Sequence, residues 1–104
     1  MNWKYELTIS ENPERIINIV KNGKLPPSEL TFAAEAIGIL SDSNLVRSVL
    51  VPLLKNPSAI VREGVIYGLT NHCNEEVIKL LEEISQNDPS PAIRTAASEA
   101  IERE

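Results

Sequence analysis

A Pro-Ser dipeptide recurs at positions 27–28, 57–58 and 89–90, opening the stretches PSELTFAAEAIGI, PSAIVREGVIYGL and PSPAIRTAASEAI. They align without gaps at spacings of 30 and 32 residues, the length of one helix-turn-helix unit. In this register the eighth position is small (Ala34, Gly64, Ala96), the twelfth is small (Gly38, Gly68, Ala100) and the thirteenth is aliphatic (Ile39, Leu69, Ile101). Small residues four apart share one helical face. Glycine inside a helix costs about 1 kcal/mol relative to alanine, so Gly64 and Gly68 are expected where a second helix comes close. Serine after proline suits an N-cap, which starts these B helices at Ser28, Ser58 and Ser90, with Pro91 at a first helical position.

An amphipathic run precedes each B helix. The first holds Ile16, Ile17, Ile19 and Val20; the second Leu45, Val46, Val49, Leu50, Leu53 and Leu54; the third Val77, Ile78, Leu80, Leu81 and Ile84. The middle set recurs at steps of three and four residues, which makes one apolar stripe, and the three runs are read as A helices. Asn12, Asn44 and Asn74 are the expected N-caps, and Pro52 predicts a kink late in the second A helix. One hairpin cannot bury its own apolar faces. Stacked hairpins can, and about three is the minimum. The expected fold is therefore all-α, an α-solenoid of three helical hairpins with six principal helices. The repeats run approximately over 12–41, 42–71 and 72–104, behind a short N-terminal segment, 1–11.

In that segment Trp3, Tyr5, Leu7 and Ile9 alternate with Lys4, Glu6 and Thr8, which is strand periodicity. A lone strand has no ladder partner in a helical stack. Capping of the first hairpin is the preferred reading, beside pairing with another chain and a short helix carrying Trp3 and Leu7 on one face.

The segments LLKNPSAIVREGVIYGL and NDPSPAIRTAASEAI resemble HEAT repeats, especially the short variety of bilin lyases. The third repeat carries Asp88, Pro89, Ile93 and Arg94; the second has Asn56 in place of the aspartate, then Pro57, Val61 and Arg62. The first has Pro26 and Phe32 where the acid and the arginine would stand, as suits a terminal repeat. The resemblance covers roughly residues 12 to 104 and implies a scaffold or adaptor. It also implies a structural ladder in which Arg62, Asp88 and Arg94 bridge inter-helix turns.

Charge narrows the partners. The formal net charge is -5, and the last third of the chain sets eight acids against Lys79, Arg94 and Arg103. Phosphate binding requires net positive charge, so neither nucleic acid nor an anionic membrane is expected. Cys73 is the single cysteine, which precludes an internal disulfide and suits a cytoplasmic setting. No zinc spacing, H-E-x-x-H, P-loop or dinucleotide fingerprint occurs, so neither catalysis nor a cofactor is expected. His72 beside Cys73 reads as a histidine at a helix C-terminus rather than a base with its nucleophile, and the paired glutamates 75, 76, 82 and 83 as a solvated face.

The expected function is a non-catalytic protein-interaction module (adaptor, assembly factor or small inhibitor) acting through a concave B-helix face. The alternatives are an accessory subunit of a bilin-lyase-like enzyme and a nucleic-acid-binding HEAT-like protein. With Ile93, Ala96, Ala97, Ala100 and Ile101 taken as inward, the third repeat's outward positions are Thr95, Ser98 and Glu99. Their equivalents are Glu63, Ile66 and Tyr67, and Ala33, Ala36 and Ile37, beside Phe32 at the ladder position. These seven residues are the expected surface for another protein or a second copy, with Tyr67 as anchor.

Overall fold

A computed structural model describes residues 3–103, with the side chains of residues 3, 4, 6 and 7 outside the description. Among the described residues the chain forms seven α-helices and no strand. After α1 (Trp3–Glu11) come α2 (Pro13–Lys21) with α3 (Pro27–Ile37), α4 (Ser43–Leu50) with α5 (Ala59–Leu69), and α6 (Glu75–Asn87) with α7 (Pro91–Glu102). The last three pairs are the A and B helices of an α-solenoid of hairpins.

The A helices follow their stripes. In α2 the residues Ile16, Ile17 and Val20 are buried while Glu14, Arg15 and Asn18 face solvent. Helix α6 is capped by Asn74, whose side chain accepts from the Val77 amide at 2.9 Å, with Glu75 and Glu76 favourably placed in the first turn. The second A helix is capped by Asp42, which accepts from Leu45 N, rather than by Asn44. Pro52 cannot donate to the carbonyl one turn back, and the helix tightens into a 3-10 turn over Val51–Lys55, the expected irregularity.

The B helices start differently from the expectation. In α3 the N-cap is Pro26, so Ser28 lies inside the helix; Ser58 and Ser90 do cap α5 and α7, but their side chains make no cap bond. The turn is built instead by Asn56 and Asp88, whose Oδ1 atoms accept from the amides of Ser58 and Ser90, both at 2.9 Å. Side-chain acceptors two residues upstream hold the turn, so the hydroxyl is not required.

Helices α3 and α5 pack backbone to backbone. A Cβ at Gly68 would sit 2.6 Å from Ala34 O and 2.8 Å from Leu50 Cδ1; one at Gly64 would overlap the Thr31 carbonyl, and one at Gly38 the Gly68 carbonyl. The small positions of the repeat are thus where successive B helices meet. The backbones of the first two B helices approach each other more closely than those of neighbouring A helices.

The N-terminal segment is a helix, not a strand. Tyr5 and Ile9, four residues apart, fit both periods, but a helix satisfies its own backbone while an isolated strand cannot. Both are buried, and α1 packs on α2 and α3. The side chains of Trp3 and Leu7, expected on one face of such a helix, lie outside the described residues.

Candidate protein-interaction site

Two polar devices join the repeats and leave one face open. The first is a rung centred on Arg62. Its Nε donates to Asp88 Oδ2 at 2.8 Å and its Nη2 to Asp88 Oδ1 at 3.0 Å, a two-pronged pair across 26 residues, while Nη1 donates to Asn56 O at 2.8 Å. Both partners are buried. Burial alone would raise the Asp88 pKa; the hydrogen bonds from Arg62 and Ser90 N, and the charges of Arg62 and Arg94, outweigh it and hold this carboxyl below its ordinary value. Arg94 uses the same atom one repeat later, its Nη1 donating to Asp88 O at 2.6 Å.

The second device is His72, buried at the end of α5. Its Nε2 donates to Gly38 O at 2.8 Å, since a carbonyl only accepts, and its Nδ1 shares a 2.7 Å hydrogen bond with Ser43 Oγ. Arg47 Nη1 reaches back to His72 O at 2.9 Å. His72 therefore ties the segment after α5 to the end of the first repeat at Gly38 and to the start of α4 at Ser43. Both ring nitrogens are occupied, and neither is left to activate Cys73.

The expected docking residues divide. Tyr67 is 46% exposed, and Phe32 and Glu63 are half-buried. Ala33, Ala36, Ile37 and Ile66 are almost fully buried and cannot contact a partner. Two causes separate them from the expectation. First, the third repeat was a misleading template: Ile66 follows Arg62 by one turn and so shares the side of α5 that reaches repeat 3, whereas its counterpart Ser98 has no described repeat beyond it. Ala36 stands in the same register on α3. Second, Glu29, Ala33 and Ile37 recur every fourth residue on one face of α3, and Tyr5 Oη of α1 donates to Glu29 Oε1 at 2.7 Å. Helix α1 therefore covers that face of the first repeat.

What remains open is the solvent side of α5 and the end of α3. Ile60, Glu63 and Tyr67 recur at three- and four-residue steps along α5, Asn71 continues the line just past its end, and Ile39 is 54% exposed beyond the last turn of α3. Tyr67 stands between two clefts. One, of about 320 Å³, is lined by Glu35, Gly38, Ile39, Leu40, Tyr67, Asn71 and His72; the other, of about 400 Å³, by Glu35, Tyr67, Thr70, Asn71 and Arg103. Partial burial first, then the negative fields of Glu63, Glu99 and Glu35 against the opposing charge of Arg103, raises the Tyr67 pKa. Sequence reasoning missed Glu35, Ile39 and Asn71. Ile39 aligns with Leu69 and Ile101 and so reads as core, but α3 ends two residues before it.

Among the described residues no group of three or more His, Cys, Asp or Glu is placed to hold a metal ion, and no helix is long and apolar enough to cross a membrane. The model of the HEAT repeats family matches residues 23–102, most of the chain. The chain belongs to the HEAT repeat family. HEAT repeats are generally scaffolds for protein interaction. No curated protein and no solved structure matches it.

Proposed function

We propose that this HEAT-repeat chain is a non-catalytic interaction module that binds another protein through the open B-helix face around Tyr67. In this reading residues 12–104 are the repeat domain, residues 1–11 cap its first hairpin, and the setting is cytoplasmic. One observation carries the proposal: a large aromatic ring stands nearly half exposed between two clefts, beside exposed Ile39, in a stack whose other large side chains are mostly buried. Tyrosine on such a ridge offers apolar area at small entropic cost together with a hydrogen-bonding tip. Glu35, Glu63 and Glu99 around it oppose phosphate, which disfavours a nucleic acid.

The test compares affinity capture by the wild type, by Tyr67→Glu and by Lys79→Glu on the A face of α6, with light scattering to read self-association. Tyr67→Glu is expected to lose the bound protein, or the dimer, while changing stability by less than about 1 kcal/mol, as exposed substitutions do. Loss through Lys79→Glu with retention in Tyr67→Glu would overturn the proposal.

A further inference from the structure

The two clefts beside Tyr67 differ in charge. The larger, of about 400 Å³, already sets Arg103 against Glu35. The smaller, of about 320 Å³, has Glu35 in its lining and no lysine or arginine. Glu35 is half-buried, and its carboxylate has no hydrogen-bond or ion-pair partner among the described residues. Two further carboxylates act on the same ring: Glu63, one turn earlier on α5, and Glu99, which holds the register of Tyr67 one repeat later. Three successive B helices thus each bring an acid to one tyrosine.

The backbone adds to this charge. Gly38 and Ile39 follow the last turn of α3, and Asn71 and His72 follow that of α5, so the smaller cleft lies at the C-terminal ends of two helices. A helix C-terminus carries a partial negative charge that favours a lysine or arginine in the last turn. Helices α2 and α4 have such a residue, Lys21 and Arg47, whereas α3 and α5 have none. Arg47 reaches the His72 carbonyl from α4 without lining the cleft, and the His72 ring has both nitrogens occupied by Gly38 O and Ser43 Oγ.

We propose that the smaller cleft receives one lysine or arginine side chain of the protein that docks on the Tyr67 face, with an apolar neighbour of that residue covering exposed Ile39. The inference rests on the reading of that face and names the chemistry of its partner. A cation entering here meets the Glu35 carboxylate, two helix C-termini and a tyrosine ring, whose π face attracts cations. Its aliphatic stem packs on Ile39 and Leu40 while the charged head stays beside the acid. A neutral side chain would cover half-buried Glu35 without pairing it, which weakens binding. An acidic one would add repulsion from Glu35, Glu63 and Glu99.

The test is an NMR titration of the whole isotope-labelled chain with capped peptides of one length. They differ only at a central residue flanked by leucines: arginine, lysine, glutamate, or citrulline, the neutral isostere of arginine. The arginine and lysine peptides are expected to shift the Ile39 methyl and Tyr67 ring signals saturably, with an affinity about tenfold or more above citrulline that falls as salt is added. Glu35→Gln should bring the arginine peptide down to the citrulline level with the rest of the spectrum in place. Glu35→Lys, which supplies a cation from the chain itself, should block the cleft to both basic peptides. Citrulline binding as tightly as arginine, an arginine affinity unchanged in Glu35→Gln, or no saturation by any peptide at about 10 mM would overturn the proposal. The reading of the face is decided separately by capture with Tyr67→Glu. A captured protein lost in that variant, together with any of those peptide results, would keep the face as the docking surface and remove only its basic partner.

Discussion

Arg62→Ala is expected to be among the most damaging single substitutions of a charged residue in this chain, and the rung shows why. The side chains of Arg62 and Asp88 are only 10% and 6% exposed, and three hydrogen bonds converge on the guanidinium. Truncation leaves a buried carboxylate with the Ser90 amide alone and strips the Asn56 carbonyl of its donor. Breaking a buried pair from one side costs about 3–5 kcal/mol, against a total of roughly 5–15 kcal/mol for a domain of this kind. With a urea slope of about 2 kcal/mol/M, the midpoint should fall by roughly 2 M. Arg94→Ala removes one hydrogen bond at a half-buried site and should cost about 1 kcal/mol, a shift of roughly 0.5 M. Removing both rung partners in Arg62→Ala/Asp88→Ala should restore part of the loss, because the uncompensated charge goes with them. Equilibrium urea unfolding followed by circular dichroism distinguishes the three variants. Arg62→Ala within 1 kcal/mol of the wild type, or a double variant less stable than Arg62→Ala, would refute the reasoning.

Other outcomes follow from the same contacts. The native Asp88 pKa lies below its unfolded value of about 3.9, so the rung's stabilisation is present above that pH and is lost as pH falls through the native pKa; acid unfolding should be flatter in Asp88→Asn when midpoints are compared from pH 5 to 2. Burial, followed by the hydrogen bond and charge of Glu29, pushes the Tyr5 pKa up to about 12, so its contribution is present below the unfolded value of about 10 and is lost as pH rises towards the native one. Tyr5→Phe should remove that alkaline loss and cost about 1–3 kcal/mol at neutral pH, read by thermal or urea unfolding. Gly68→Ala puts a methyl 2.6 Å from the Ala34 carbonyl, and despite a helix-propensity gain of about 1 kcal/mol it should lower stability by roughly 1–3 kcal/mol in the same assay.

The repeat was legible because it is written in steric terms. Small residues at Gly64 and Gly68, stripes such as Val46, Val49 and Leu50, and the Asx-Pro-Ser turns record contacts that every hairpin must make. The surface was less legible. Whether a B-helix position is open depends on what stands beside its repeat, and Ile66 and Ser98 hold the same register with opposite exposures. The N-terminal helix was obscured because Tyr5 and Ile9 satisfy a strand period and a helix period alike. His72 could not be assigned its partners, since Gly38 and Ser43 lie 34 and 29 residues away and no local pattern marks them.

The claim that the open B-helix face is where this HEAT-repeat chain meets its partner is tested most directly by photo-crosslinking from that face in the native extract. Benzoylphenylalanine in place of Tyr67 is expected to yield a discrete adduct that excess unlabelled wild type competes away, with none from the same group in place of Lys79. Adducts from position 79 and none from position 67 would contradict the account and move the interface to the A helices.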